Sequence, residues 1–227
     1  MTIPSATLSR LVTYLRLLET LELAGTQQVS SGELAAQAQV TAFQVRKDLA
    51  HVGPVGTRGR GYSVALLKRK IIRVLGLDRP WQIIIVGMGR LGQAIAHFPI
   101  AAEYSFEYVG LFDPAPQPAG QIVGGLPVRP LAQLPEFMTQ QHVDMAFLSV
   151  PIESAQQTAE TLVQAGIRSI LNFSPAILGA AQPEDDKEIS KSEKWQNVTV
   201  ENVDFLAGLQ RLAYYTQQSS PPEAEEI

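Results

Sequence analysis

Three glycines at the spacing G-x-G-x-x-G, Gly87, Gly89 and Gly92, follow directly on the apolar run Ile83-Ile84-Ile85-Val86 and lead into a helical pattern from Leu91 to Ala96. A short continuous apolar run reads as a buried parallel strand, so the motif sits in a strand-turn-helix context. Each glycine then has a task. Gly87 permits a tight turn, Gly89 lets backbone approach a pyrophosphate, and Gly92 lets the helix pack closely on its strand, while the opening N–H groups around Arg90 and Leu91 present a partial positive charge. The chemistry is that of a dinucleotide cradle. About 20 positions further on, the run Tyr108–Phe112 ends in Asp113, where a carboxylate accepts hydrogen bonds from adenosine ribose hydroxyls and repels a 2′-phosphate. That favours NAD over NADP, with Asp113-Pro114 as an ordinary turn signal the lesser alternative.

Two further turns, Val150-Pro151 and Asn172-Phe173-Ser174-Pro175, follow strand-like runs and fall where open α/β sheets bind ligands, as cofactor walls or as plain turns. Groups able to do covalent or acid–base work are scarce. The chain has no cysteine and three histidines without ligand spacing, so no metal is expected. None of His51, His97 and His142 falls at the carboxyl end of a strand, where a proton donor beside a nicotinamide would stand. The motif alone leaves three readings open: an NAD-dependent oxidoreductase with a basic appendage, a domain for coenzyme A or another nucleotide, and a non-enzymatic sensor of NAD(H).

The elements around the cradle narrow these. The 227 residues are 45% apolar and fit two domains. No run of about 18 apolar residues and no signal-peptide pattern occurs, which predicts a cytoplasmic protein with no membrane partner. Residues 1–80 hold 11 Lys and Arg against 5 Asp and Glu; the remainder holds 7 against 17. A basic module that touches an anion is thus joined to an acidic one. The apolar period Leu8, Leu11, Val12, Leu15, Leu18 predicts a helix from Thr7 to Leu23, stopped at Gly25, with Arg16 off the stripe. Ser30-x-x-Glu33 and Thr41-x-x-Gln44 read as two capping boxes opening short helices at 33–37 and 42–49. This is a helix-turn-helix, with Gln44, Arg46 and Lys47 on the helix that would enter a major groove. The glycine-rich stretch from Gly53 to Val64 predicts a β-hairpin wing with Arg58 and Arg60 at its tip, placed for phosphate or a narrow minor groove. A helix at 66–75 closes the module, and 76–80 is a linker. Beyond the cradle come strands near Val128 and over Met145–Val150 and Ser169–Phe173, a helix over Ser154–Ala165, a surface loop at 179–197 and a strand at 198–200. An amphipathic helix over 204–216 precedes a disordered tail at 217–227. The fold class is α/β: a winged helix-turn-helix domain (1–80), a Rossmann-type parallel sheet (81–203) and a C-terminal helix.

The segments Val45–Leu49, Gly59–Tyr62, Val86–Gly92, Ile170–Pro175 and Val200–Phe205, taken jointly and in order, resemble the redox-sensing transcriptional repressors of the Rex family. The resemblance spans nearly all of residues 3–216. It implies a homodimer with exchanged C-terminal helices, a double-stranded palindromic operator as partner, and release from it by NADH. It also implies roles: Asp204 beside the nicotinamide with Phe205 next to it, Arg16 bonding that aspartate across the dimer, and Arg46, Lys47, Arg58, Arg60 and Tyr62 toward DNA. Three departures stand out. Phe98 replaces a usual tyrosine whose hydroxyl competes for the aspartate, His51-Val52 replaces an aromatic pair, and the loop at 179–197 is longer than usual.

Overall fold

The computed structural model describes residues 3–57, 61–100, 105–115, 120–179 and 193–219, and the chain divides into two compact units, Met1–Pro80 and Trp81–Ile227. The N-terminal unit runs α1 (Ser5–Leu23), β1 (Gln28–Val29), α2 (Ser31–Ala38), α3 (Ala42–Leu49), β2 (Gly56–Thr57), β3 (Gly61–Ser63) and α4 (Val64–Val74). Its core is set by the apolar stripes: Leu11, Tyr14, Leu15 and Leu18 of α1 are buried together with Val45 and Leu49 of α3 and Leu67 and Ile71 of α4. Ser30 opens α2 through a complete capping box, its Oγ accepting from Glu33 N at 3.1 Å while Glu33 Oε2 accepts from Ser30 N at 2.7 Å. The second box is only half made. Thr41 Oγ1 accepts from Gln44 N at 3.1 Å, but the Gln44 side chain does not return to the cap; a buried carboxylate on its own helix attracts it instead.

The hairpin β2–β3 is antiparallel, and β1, absent from the expected elements, pairs with β3 to make a three-stranded sheet in the order β1-β3-β2. Two residues are too few to show an alternating pattern, and β1 exists through its partner. Lys70 of α4 donates to the carbonyl of Pro54, holding the segment that enters the wing. The wing tip with Arg58 and Arg60 lies outside the described residues.

The second unit comprises β4 (Trp81–Val86), α5 (Arg90–His97), β5 (Phe106–Asp113), β6 (Ile122–Val123), β7 (Leu126–Pro130), α6 (Leu134–Gln140), β8 (Met145–Leu148), α7 (Ile152–Gln164), β9 (Ser169–Asn172), β10 (Thr199–Asn202) and α8 (Phe205–Ser219). The sheet order is β10-β9-β8-β4-β5-β7-β6. Every neighbouring pair is parallel except β6–β7. Leaving aside the short β6, this is the doubly wound order 3-2-1-4-5-6, and the chain reverses direction of growth between β4 and β8. Ile83 to Val86 are buried on both faces, as their unbroken apolar run requires.

Two expectations are corrected in this unit. The loop at 179–197 is not wholly without structure at the surface: Glu193–Trp195 form a 3-10 turn, and Trp195, 3% exposed, joins the core beside Ile167 and Val198. A single aromatic in a polar segment gave no period from which to read it. The last helix continues through residues 217–219, which the sequence assigns to the tail, while 220–227 lie outside the described residues.

Candidate dinucleotide cradle and nucleic-acid face

Because all the strands around the reversal point are parallel, their carboxyl ends share one edge of the sheet. Val86 at the end of β4 with Gly87 behind it and Ser149-Val150 after β8 meet there, flanked by Asp113 at the end of β5 and Asn172 at the end of β9. Gly87 has φ +99°, and a Cβ on it would stand 2.6 Å from the backbone of Ser149. A Cβ on Gly92 would stand 1.9 Å from the Gly87 carbonyl oxygen. Both positions therefore exclude any side chain. Gly89 differs: its φ of −66° is open to any residue, and nothing lies within 4 Å of its Cβ position. Since Gly89 is the N-cap of α5 and offers no side-chain cap, the first N–H groups of α5, around Arg90 and Leu91, remain available to anionic oxygens. These features fit a pyrophosphate.

The turn is braced on three sides. Asp113 Oδ2 accepts from Met88 N at 2.7 Å, and its Oδ1 accepts from Ala115 N at 2.8 Å. The same carboxylate that could face a ribose is thus also the acceptor that shapes the glycine turn. Ser149 Oγ donates to the Gly87 carbonyl at 2.8 Å, and Gln93 Nε2 donates to the Met88 carbonyl at 2.9 Å. Ser149 was not singled out by the sequence; its signal is a hydroxyl at the end of the strand that adjoins β4 across the reversal point. Val150 is buried, whereas Pro151 is exposed as the N-cap of α7.

At the next strand end, Asn172 is fully buried and its carboxamide is engaged inside the protein. Nδ2 donates to Ala176 O at 3.0 Å and to Asn202 Oδ1 at 2.9 Å, while Oδ1 accepts from Ser174 N at 3.0 Å. Asn172 therefore clamps the turn that carries Phe173, Ser174 and Pro175, and ties β9 to β10. Of these, Pro175 is exposed and Ser174 buried, and the half-buried Phe173 ring packs edge-on to Phe147 at 5.9 Å. Two residues after β10, Asp204 caps α8, with Oδ1 accepting from Ala207 N at 2.9 Å; the residue is exposed, as is Phe205. Phe98, at the C-terminus of α5, is 64% exposed and borders a groove of about 330 Å³ with Tyr108 and Leu126. The Tyr108 hydroxyl is buried without a partner among the described residues, and burial pushes its pKa up to about 12.

In the N-terminal unit the organising group is Asp48, a carboxylate at 0% exposure on the buried face of α3. It accepts from Arg10 Nε at 2.6 Å and Arg10 Nη2 at 2.8 Å, from Tyr14 OH and Gln44 Nε2 at 2.9 Å, and from Thr7 Oγ1 at 3.2 Å. Burial alone would raise its pKa, but the hydrogen bonds from Arg10, Gln44 and Tyr14 outweigh that and hold it at about 2. Tyr14 is shifted upward by burial and by its bond to the carboxylate. Gln44, expected on the DNA side, is thus half-buried and turned toward Asp48. Arg46 and Lys47 are exposed, with Arg46 Nη1 donating to Ser31 Oγ at 3.1 Å. Tyr62 lies on the central wing strand opposite Val29 and Gly56. Arg16 is exposed on α1, off its buried stripe. Phe43, beside Gln44, is 68% exposed.

Among the described residues no helix is long and apolar enough to cross a membrane, and no group of three His, Asp or Glu could hold a metal ion. A winged helix-turn-helix unit followed by a dinucleotide-type doubly wound sheet defines a DNA-binding regulator of the nucleotide-responsive class. Residues 78–176 match the family model described as "CoA binding domain", and residues 2–50 match "Putative DNA-binding protein N-terminus". The redox-sensing transcriptional repressor Rex of Deinococcus radiodurans is 51% identical, the match covering 99% of this chain and 97% of the relative. The Rex repressor of Thermus aquaticus is 49% identical over 94% of each chain. The crystal structure of RSP with β-NAD⁺ and operator DNA superposes with a TM-score of 0.84 at 33% identity, covering 96% of this chain and 94% of that one. RSP with β-NADH gives 0.78 at 32% identity, covering 96% of both chains. The chain belongs to the Rex family of redox-sensing transcriptional repressors.

Proposed function

We propose that this chain represses transcription by binding palindromic operators as a homodimer when NADH is low, and leaves them when NADH is bound. The observation that carries the reading is the opening at Gly89, a bare helix N-terminus at the reversal point of the sheet, in a chain that also displays an exposed basic helix on its other unit. Gly87, Gly89, Gly92 and the amides at Arg90 and Leu91 would hold the pyrophosphate. Asp113 would take the ribose hydroxyls, and Val150, Pro151, Phe173, Ser174 and Pro175, on the turn clamped by Asn172, would form the wall. When bound, the nicotinamide brings a positive charge as NAD⁺ and none as NADH. A carboxylate nearby is sensitive to that difference, and Asp204, followed by Phe205, is the group assigned to it. In the DNA-binding state Asp204 would pair with Arg16 of the partner subunit; loss of the pair on NADH binding would alter the spacing of the two recognition helices. Because Phe98 has no hydroxyl to offer Asp204, discrimination would rest on Asp204 and Arg16. Exposed Leu206, Leu209 and Leu212 on α8 support a helix that is covered by a second copy, with exchange as the mode of coverage.

Operator duplex obtained by selection from a random pool tests this. At fixed ionic strength, fluorescence anisotropy should show release by NADH and retention with NAD⁺. Operator should weaken NADH binding by the same factor by which NADH weakens operator binding, because coupling between sites is reciprocal. NADH affinity indifferent to operator would overturn the model. Coenzyme A is a second reading, favoured by the family model over residues 78–176. Its adenosine carries a 3′-phosphate, which Asp113 would repel, so coenzyme A should not displace NADH, and Asp113→Ala should weaken NADH by tenfold or more.

A further inference from the structure

At about 100° per residue, Phe43, Arg46 and Lys47 of α3 and Ala50, the residue that caps its C-terminus, fall within an arc of about 100°. All four are exposed, opposite the buried Val45, Asp48 and Leu49. The arc carries two cations and no carboxylate, since Asp48 is turned inward and paired with Arg10. Phe43, 68% exposed, is its one large apolar group. It stands at the second position of α3, and the N-terminal residues of a recognition helix are those that reach base edges. The neighbouring amide that could have read an adenine, Gln44, is held by Asp48 at 2.9 Å. A surface of this kind suits a polyanion with an apolar spot set among its charges. In a major groove that spot is the C5-methyl group of thymine, with phosphate oxygens and guanine acceptors around it.

We propose that Phe43 is a specificity-determining residue that packs on a thymine methyl group in each operator half-site. The proposal rests on the repressor reading above. It gives Phe43 the task of telling thymine from cytosine, while Arg46 and Lys47 supply the charge.

The test removes one methyl group at a time. The full chain first selects its preferred duplex from a random pool; each thymine of a half-site is then replaced by deoxyuridine, symmetrically in both halves, and affinity is measured at fixed salt for the wild type, Phe43→Ala and Phe43→Leu. One thymine should stand out: its replacement should weaken the wild type by about fourfold per half-site, the worth of one buried methyl group. The same replacement should leave Phe43→Ala unaffected and Phe43→Leu partly sensitive. Circular dichroism and sedimentation of both variants should match the wild type, as expected for an exposed side chain. Equal sensitivity of wild type and Phe43→Ala at every thymine would overturn the assignment. So would a change of oligomeric mass in Phe43→Ala, which would place Phe43 against another protein chain. Selection of no sequence at all would instead defeat the repressor reading on which the proposal stands.

Discussion

Asp48 accepts five hydrogen bonds in the interior, and removing one member leaves the rest stranded. Asp48→Ala should cost about 3–5 kcal/mol, because Arg10 keeps a partly buried charge without its partner. The measurement is the unfolding transition of the N-terminal unit, and a loss under about 1 kcal/mol would contradict the network's role. The pH dependence follows from the sign of the shift. The folded carboxylate titrates at about 2 and the unfolded one near 4, so its contribution of about 2 kcal/mol is present above about pH 4 and is lost as pH falls through 2. Asp48→Asn should flatten that acid limb. Asp48 was not read from the sequence, although it stands in register with Val45 and Leu49 on the buried face of α3. Its donors Thr7, Arg10 and Tyr14 come from a helix more than 30 positions away, and no local pattern links them.

The glycine turn works as a unit of strand, turn and helix. Gly92→Ala, with a Cβ 1.9 Å from the Gly87 carbonyl, should open the turn, lowering the thermal stability of the second unit and abolishing NADH binding together. Gly89→Ala should separate the two effects. Its backbone conformation suits alanine and nothing opposes the Cβ, so unfolding temperature should stay the same while NADH affinity falls by tenfold or more. Unchanged NADH affinity in Gly89→Ala would show that no ligand approaches that side of the turn. Ser149→Ala, which removes the bond to Gly87 O, should cost about 1 kcal/mol in stability. The strand, the glycines and Asp113 were readable because their geometry is local to about 30 residues. Ser149 was not, because its bond depends on β8 lying beside β4, which is decided by sheet order. Short elements such as β1 and β6, two residues each, carry no period and arise only from pairing.

Across the whole molecule, charge is divided between two bodies: the N-terminal unit is basic, and the rest is acidic enough to make the chain −4. Operator affinity should therefore fall steeply with salt in spite of the net charge. Arg46→Ala and Lys47→Ala should each reduce the slope of log affinity against log salt by about two for the dimer, one for each subunit, if they meet phosphates. A slope unchanged in both would assign them to bases instead. The sequence showed the division into a basic and an acidic body, since composition needs no register. The proposed coupling of Asp204 to Arg16 would be a property of two chains together, and no motif in one chain would encode it.

The two edges of the seven-stranded sheet bear on colloidal behaviour. On one side β6 is only two residues long; on the other β10 has four, with Glu201 exposed among them. Neither presents a long flat row of unpaired backbone groups, the usual template for strand addition and fibril growth. Concentrated protein should accordingly self-associate through side-chain surfaces such as α8 and not by extending its sheet, so that its oligomers stay finite and dissociate on dilution.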